Sequence, residues 1–337
     1  MTRVTLAVDA MGGDFGPNVT VPAVLQALGS YPFLEIYLVG IPDSLHPLLT
    51  HVDPALLQRL HCINADSVIS SDIKPSLSIR QSKNSSMRLA LELVKDQHAQ
   101  ACLSAGDTGT LMGLALLLLK PLPKIRRPAL MTLLPTSTNR QMVLLDIGAN
   151  VDADSEMLVQ FALMGAVVAQ QMLSISEPRV ALLNVGQEES KGKESIRQAA
   201  KILRQQSVIR YTGFLEGSEL LTGHADVLVC DGFSGNVALK TLEGAMRYFL
   251  QRTRRGQSAW QRLTRALLSP NTSKIDPDKY NGAFLLGLSG VVIKSHGAAN
   301  QQAFLAAIEQ SILTVQRQLS QRVARQLATV VARSDRI

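Results

Sequence analysis

Three polar residues stand in glycine-bounded stretches where chemistry on an anion could be carried out: Lys191, Asn236 and His296. A lysine neutralises a phosphate, an asparagine amide donates hydrogen bonds, and a histidine donates or moves a proton near neutral pH. The stretch Asp226 to Asn236 carries the strongest local pattern. Its apolar run Val227–Cys230 reads as a buried strand that stops at Asp231 and turns through Gly232 and Gly235. A helical pattern follows from Val237. A strand feeding such a turn leaves the first N–H groups of the helix unpaired, and with the helix dipole they favour an anion.

The same sentence of residues recurs. Val4–Val8 leads into a loop with Asp9, Gly12 and Gly13, and a helix begins at Val19. Ala101–Leu103 leads into Ser104, Gly106, Thr108 and Gly109, and then into an apolar helix ending at Leu119. Met142–Leu145 precedes Asp146-Ile-Gly-Ala-Asn150 and a helix from about Ser155. Val180–Leu183 precedes the loop with Lys191, and Val291–Ile293 precedes Lys294-Ser-His-Gly-Ala-Ala-Asn300 and a long C-terminal helix. With the Asp226–Asn236 stretch this makes six strand, glycine loop and helix units. Such alternation predicts an α/β fold, a layered Rossmann-like sheet with helices on both faces. All six loops are then expected at one rim, at the carboxyl ends of the strands. Candidate phosphate or substrate contacts are Asp9, Gly12, Gly13, Ser104, Gly106, Thr108, Gly109, Asn150, Asp231, Gly232 and Gly235.

What the loops lack counts against several chemistries. No G-x-G-x-x-G follows a strand, no G-x-x-x-x-G-K-[ST] occurs, and no G-x-S-x-G elbow supplies a nucleophilic serine. The reading therefore calls for no cofactor. Asp152, Asp154 and Glu156 raise the question of a metal, but carboxylates at a helix start complement its dipole, so no metal is expected.

The bulk composition agrees with a large aliphatic core. Of 337 residues 46% are hydrophobic and only 4% aromatic, which suits a sheet covered on both faces. Isolated cysteines at 62, 102 and 230 point to a reducing, cytoplasmic setting. The N-terminus goes straight into a strand pattern without a signal-like apolar stretch, and the run Leu111 to Leu119 is shorter than the roughly 20 residues of a membrane span. A formal charge of +7 suits an acidic partner or an anionic surface, while the scarcity of aromatics argues against nucleic acid. Residues 1–337 read as one unit with a basic amphipathic helical excursion at about 245–280. That excursion holds Arg247, Arg252, Arg254, Arg255 and the single tryptophan, Trp260. It suits a peripheral membrane surface, an acidic partner, or a helical hairpin against a second subunit.

Taken together, Val8-Asp-Ala-Met-Gly-Gly-Asp-Phe-Gly-Pro, Ser104-Ala-Gly-Asp-Thr-Gly, Leu145-Asp-Ile-Gly-Ala-Asn-Val-Asp, Cys230-Asp-Gly-Phe-Ser-Gly-Asn and Lys294-Ser-His-Gly-Ala-Ala-Asn resemble the bacterial phosphate acyltransferases of phospholipid synthesis. The resemblance covers almost the whole chain. It implies a fold similar to the isopropylmalate dehydrogenase and phosphotransacetylase group, a homodimer, and transfer of a fatty acyl group from acyl carrier protein to inorganic phosphate. It also implies loose membrane association, since the acyl phosphate passes to a membrane glycerol-3-phosphate acyltransferase. One position departs from the family, which usually has Asn where this chain has Asp107. A carboxylate there would repel phosphate unless it points away or is paired. Two rival readings are a dehydrogenase of the same fold group and a non-catalytic membrane scaffold for lipid enzymes.

Overall fold

The computed structural model describes residues 3–70, 74–255 and 280–334, with side chains described except at 250–255 and 329–334. Among the described residues eleven strands form one sheet: β1 (Val4–Asp9), β2 (Leu34–Gly40), β3 (Leu60–Asn64), β4 (Ala101–Ser104), β5 (Ala129–Pro135), β6 (Gln141–Leu145), β7 (Arg179–Leu183), β8 (Arg210–Leu215), β9 (Val227–Val229), β10 (Ala283–Leu286) and β11 (Val291–Lys294). Their order across the sheet is β3-β2-β1-β4-β11-β10-β5-β6-β9-β7-β8. The helices used below are α1 (Pro17–Ser30), α2 (Pro42–Leu49), α3 (Pro54–Leu57), α4 (Pro75–Arg80), α5 (Ser86–Lys95), α6 (Thr108–Leu119), α7 (Ser155–Met172), α8 (Glu194–Gln205), α9 (Gly232–Arg255), α10 (Gln301–Gln316) and α11 (Leu319–Ser334).

Strand alternation builds a core on each face. Leu6 and Val8 of β1, and Val227 and Val229 of β9, pack with α1, α7, α8, α10 and α11. The intervening Ala7 and Leu228 face the other way, toward α5, α6 and α9. The layered sheet with helices on both faces is therefore the observed fold. Phe161, fully buried in the middle of α7, anchors the first layer. Truncating such a side chain typically costs about 3–5 kcal/mol.

Strand direction corrects the expectation of a single rim. Strands β1, β2, β3, β4 and β11 are mutually parallel. Strands β6, β7, β8 and β9 are likewise parallel to one another. Between the two groups lie β10 and β5, and the three junctions β11–β10, β10–β5 and β5–β6 are all antiparallel. Three reversals turn the second group against the first. The loops after β1, β4 and β11 thus form one rim, and those after β6, β9 and β7 form another at the opposite edge. Neither β5 nor β10 reads as a strand from sequence, because Ala129–Pro135 is apolar but for Thr132, without alternation, and β10 is only 4 residues long.

The link between the rims is α9. It starts at the second rim directly after β9 and runs for 24 residues, about 36 Å. Its Ala238, Leu239 and Leu242 pack onto the sheet, while Phe233, Val237 and Tyr248 are exposed.

Smaller corrections concern helix ends. Between β2 and β3 the chain forms two short helices, α2 and α3, the second capped by Asp53 accepting from the Ala55 N–H at 2.9 Å. The single C-terminal helix breaks between α10 and α11, where Gln318 has φ 52°. Ser85 stands at the start of α5, but its hydroxyl makes no cap bond.

Candidate active site

The first rim is built by close approach of three loops. Asp9, at the end of β1, is 1% exposed, and its Oδ2 accepts from the Ser104 hydroxyl at 2.7 Å. The Ser104 Oγ in turn accepts from the Gly106 N–H at 3.0 Å. Burial pushes the Asp9 carboxyl above the usual range, against the hydrogen bonds that favour its charge. Glycine is required at position 12, since a Cβ there would lie 2.7 Å from the Gly106 nitrogen and 2.9 Å from Asp9 Oδ2. The third loop closes the set when the Asp14 N–H donates to the Gly297 carbonyl at 2.9 Å.

Asp107 caps α6. Its Oδ2 accepts from the Thr110 N–H at 2.7 Å, so one carboxylate oxygen is taken up by the helix start. Lys294, the last residue of β11, extends its ammonium to the Ala105 carbonyl at 3.2 Å and to the Ser295 carbonyl. Burial pulls that ammonium down to about 8, partly offset by the carboxylates of Asp107, Asp14 and Asp9.

The second rim is more closed. Asp146, fully buried, accepts from the N–H groups of Leu130, Ala149 and Asn150 at 3.0, 3.0 and 2.7 Å, and from the Asn150 amide at 2.9 Å. The Gly232 N–H donates to the Asn150 carbonyl at 2.7 Å. A Cβ at Gly235 would lie 2.0 Å from the Asp146 carbonyl oxygen, so α9 can begin there only with glycine. Asp231 caps α9 through the Ser234 N–H at 2.7 Å and pairs with the Lys193 ammonium at 2.8 Å. Burial works to raise the Asp231 carboxyl, but Lys193 and the Ser234 bonds hold it below the usual range.

Two cavities open along the first rim and under α9. The larger, about 410 Å³, is lined by Asp9, Gly12, Gly13, Gly106 and Asp107 together with Ser86. The smaller, about 200 Å³, lies between α9 and strands β5 and β10, lined by Leu130, Ile147, Asn236, Leu239, Glu243 and His296 among others. Thr108, Lys294 and Gly297 line both. The His296 Nε2 lies 3.0 Å from Glu243 Oε1, and the His296 N–H donates to Asn281 Oδ1 at 2.9 Å. Asn281 is fixed by donating to the Ser295 hydroxyl at 2.7 Å and the Ala303 carbonyl at 2.8 Å. Burial works to raise the Glu243 carboxyl, but His296, Arg247 and Lys240 hold it below the usual range.

The structure thus gathers Asp9, Gly12, Gly13, Ser104, Gly106, Thr108 and Gly109 at one rim, and Asn150, Asp231, Gly232 and Gly235 at the other. Asn236 and His296, from different rims, line the same cavity because α9 crosses the sheet. Lys191 does not join them. Its ammonium pairs with Glu188 at 2.8 Å on an exposed loop and lines neither cavity, while Lys193, two residues on, reaches Asp231. Asp154 caps α7 through the Met157 N–H at 2.9 Å and, with Glu156, pairs with Arg126, so these carboxylates serve the helix start. Among the described residues no group of His, Cys, Asp and Glu is arranged to hold a metal, and no helix is long and apolar enough to cross a membrane. Of the basic excursion, Arg247 lies on α9, Arg252, Arg254 and Arg255 fall in its last turns where side chains are not described, and Trp260 lies outside the described residues.

Sequence reasoning missed Asp146, Lys193, Glu243 and Asn281. Glu243 had a usable signal, as the only acidic residue between Asp231 and Asp276. Asp146 had another, as a carboxylate closing the apolar run Met142–Leu145.

A model of the family described as fatty acid synthesis protein matches residues 4–322. Among solved structures, the chain is similar to a phosphotransacetylase from Streptococcus pyogenes at 18% identity and TM-score 0.63, covering 92% of this chain and 94% of that one. A phosphotransacetylase from Staphylococcus aureus matches at 17% identity and TM-score 0.59, covering 94% of each chain. A 4-hydroxythreonine-4-phosphate dehydrogenase from Klebsiella pneumoniae matches at 14% identity and TM-score 0.55, covering 93% and 100%. Identities this low speak for a shared fold. Since transferases and a dehydrogenase share it, the chemistry must be argued from the site.

Proposed function

The chain belongs to the fatty acid synthesis protein family, and from that premise we propose that it transfers a fatty acyl group from acyl carrier protein to inorganic phosphate, forming acyl phosphate. The observation that carries this reading is the meeting of two cavities at Thr108 and Gly297. One is glycine-walled and faces the start of α6. The other is lined on one side by the apolar Leu130, Ile147 and Leu239. A small anion fits the first and a thioester the second, with their reacting atoms at the shared wall.

The reaction requires no enzyme nucleophile. A phosphate oxygen of hydrogen phosphate attacks the thioester carbonyl carbon, and the carbonyl electron pair moves onto oxygen. Collapse of the tetrahedral intermediate expels the thiolate, and the proton carried in on hydrogen phosphate ends on sulfur. The products are acyl phosphate and the carrier thiol. The protein's part is to position the two reactants and to stabilise the oxyanion. In this reading the backbone N–H groups of Asp107 to Gly109 hold phosphate, and the Asn236 amide donates to the oxyanion. The Glu243 carboxylate accepts from His296 Nε2, which leaves Nδ1 as the nitrogen that exchanges a proton with sulfur. Acidic carrier protein would be steered by Arg247 and the arginines that follow it. Homodimer formation and delivery of acyl phosphate to a glycerol-3-phosphate acyltransferase at a peripheral membrane surface complete the proposal.

The test is incubation with an acyl carrier thioester and phosphate, trapping the product with hydroxylamine. Phosphate-dependent acyl hydroxamate is expected. Absence of hydroxamate while the protein binds or reduces a nicotinamide cofactor would replace the proposal with the dehydrogenase reading.

A further inference from the structure

Lys294 is the cation whose position the transfer reading leaves without a role. It ends β11 in register with Ser104 of β4, so the strand pairing places its side chain beside the loop that carries Gly106. It lines both cavities, and only Thr108 and Gly297 share that position. Its ammonium is hydrogen-bonded to two carbonyl oxygens, of Ala105 and Ser295, and among the described residues no carboxylate lies within ion-pair distance. The other lysines beside the loops differ: Lys193 is paired with Asp231 and Lys191 with Glu188. An ammonium removed from water without a paired anion is held at an energetic disadvantage, which a bound anion would relieve.

We propose, resting on the transfer reading above, that Lys294 is the residue that binds the phosphate, holding it at the wall common to both cavities so that one oxygen faces the thioester. Two carbonyl acceptors occupy two of the three ammonium protons and aim the third. The Asp107 cap fits this arrangement, since the Thr110 N–H takes one of its oxygens while its charge still acts on Lys294 from the start of α6. The remaining charged groups that face Lys294 are Asp9 on β1, Asp14 on the following loop and Lys240 on α9. The Glu243–His296 pair lies across the smaller cavity.

The pH dependence follows from the sign of the shift. Burial brings Lys294 to about 8, so its phosphate-binding form is present below that pH and lost above it. Phosphate is itself mostly dianionic above about pH 7, so a loss of affinity between pH 7.5 and 9 would belong to the protein.

The experiment is equilibrium dialysis of the full chain against radiolabelled inorganic phosphate, without acyl donor, for the wild type, Lys294→Met and Lys294→Gln. Both variants are expected to bind phosphate at least about tenfold more weakly, as loss of a charge-assisted contact implies. The wild type should weaken between pH 7.5 and 9, while Lys294→Gln should not. In steady-state assays the phosphate KM should rise with the acyl-donor KM within about twofold. Phosphate affinity unchanged in either folded variant, judged by an unchanged circular dichroism spectrum, overturns the inference. If both variants unfold, the wild-type pH profile decides alone: affinity that is flat from pH 7.5 to 9 overturns it. Failure of the transfer reading would show separately, as phosphate binding without any acyl phosphate.

Discussion

The two rims are written in nearly the same residues, yet they handle charge in opposite ways. At the second rim the buried carboxylates are answered: Asp146 accepts from several N–H groups, and Asp231 has both the Lys193 ammonium and the Ser234 N–H. At the first rim, Lys294 has only carbonyl partners; burial raises the carboxyls of Asp9 and Asp146 alike, so the contrast lies in the ammonium. A strand, a glycine turn and a helix make an anion cradle only where the polar groups are left unanswered. Where they are satisfied locally, the same motif is a joint that fixes where the next helix starts. On this view the second rim holds α9, and with it Asn236, in place, and the first rim binds the anion.

The contrast can be broken most forcefully at Asp146. Asp146→Ala strips several buried N–H groups of their acceptor and should cost about 3–5 kcal/mol in urea unfolding; a cost near zero would mean that the second rim is not a structural joint. Next in size is His296→Ala, expected to lower kcat about 100-fold with the melting temperature unchanged. A smaller drop in kcat with a lower melting temperature would make His296 part of the scaffold instead. Lys193→Ala leaves Asp231 unpaired and should cost about 1 kcal/mol, a value reduced because the lysine end is half-exposed. Lys191→Ala, by contrast, should leave the unfolding midpoint where it was, because its pair with Glu188 is exposed at both ends.

A pH-dependent effect concerns Asp9. Its folded pKa is raised, so ionisation favours the unfolded chain: the penalty is absent below the unfolded value and complete above the folded one. Asp9→Asn should therefore gain stability relative to the wild type as pH rises from 3 to 7. The Ser104 hydroxyl can turn to accept from the new amide. A gap between the two proteins that does not change with pH would show that Asp9 is not held toward neutrality.

Much of this was legible in the residues. The strands that carry the loops, the glycines that let Gly12 and Gly106 meet, and the asparagine and histidine at the smaller cavity all follow from local pattern. Direction in the sheet did not, because it depends on β5 and β10, whose short or non-alternating apolar runs look alike as strand or helix. That single gap produced the expectation of one rim. Two lysines flank Gly192 (φ 86°), and only Lys193 reaches Asp231, a difference that spacing alone does not encode. The role of α9 was half visible, since its start and its basic end were both read but not its path across the sheet.

The most direct test sets the two rims against each other in one assay, the phosphate dependence of acyl hydroxamate formation by Lys294→Gln and Lys193→Gln. The expected result is a phosphate KM raised at least about tenfold in Lys294→Gln and within about twofold of wild type in Lys193→Gln. A raised phosphate KM in Lys193→Gln with an unchanged one in Lys294→Gln would place the anion at the second rim and contradict the assignment of chemistry to the first.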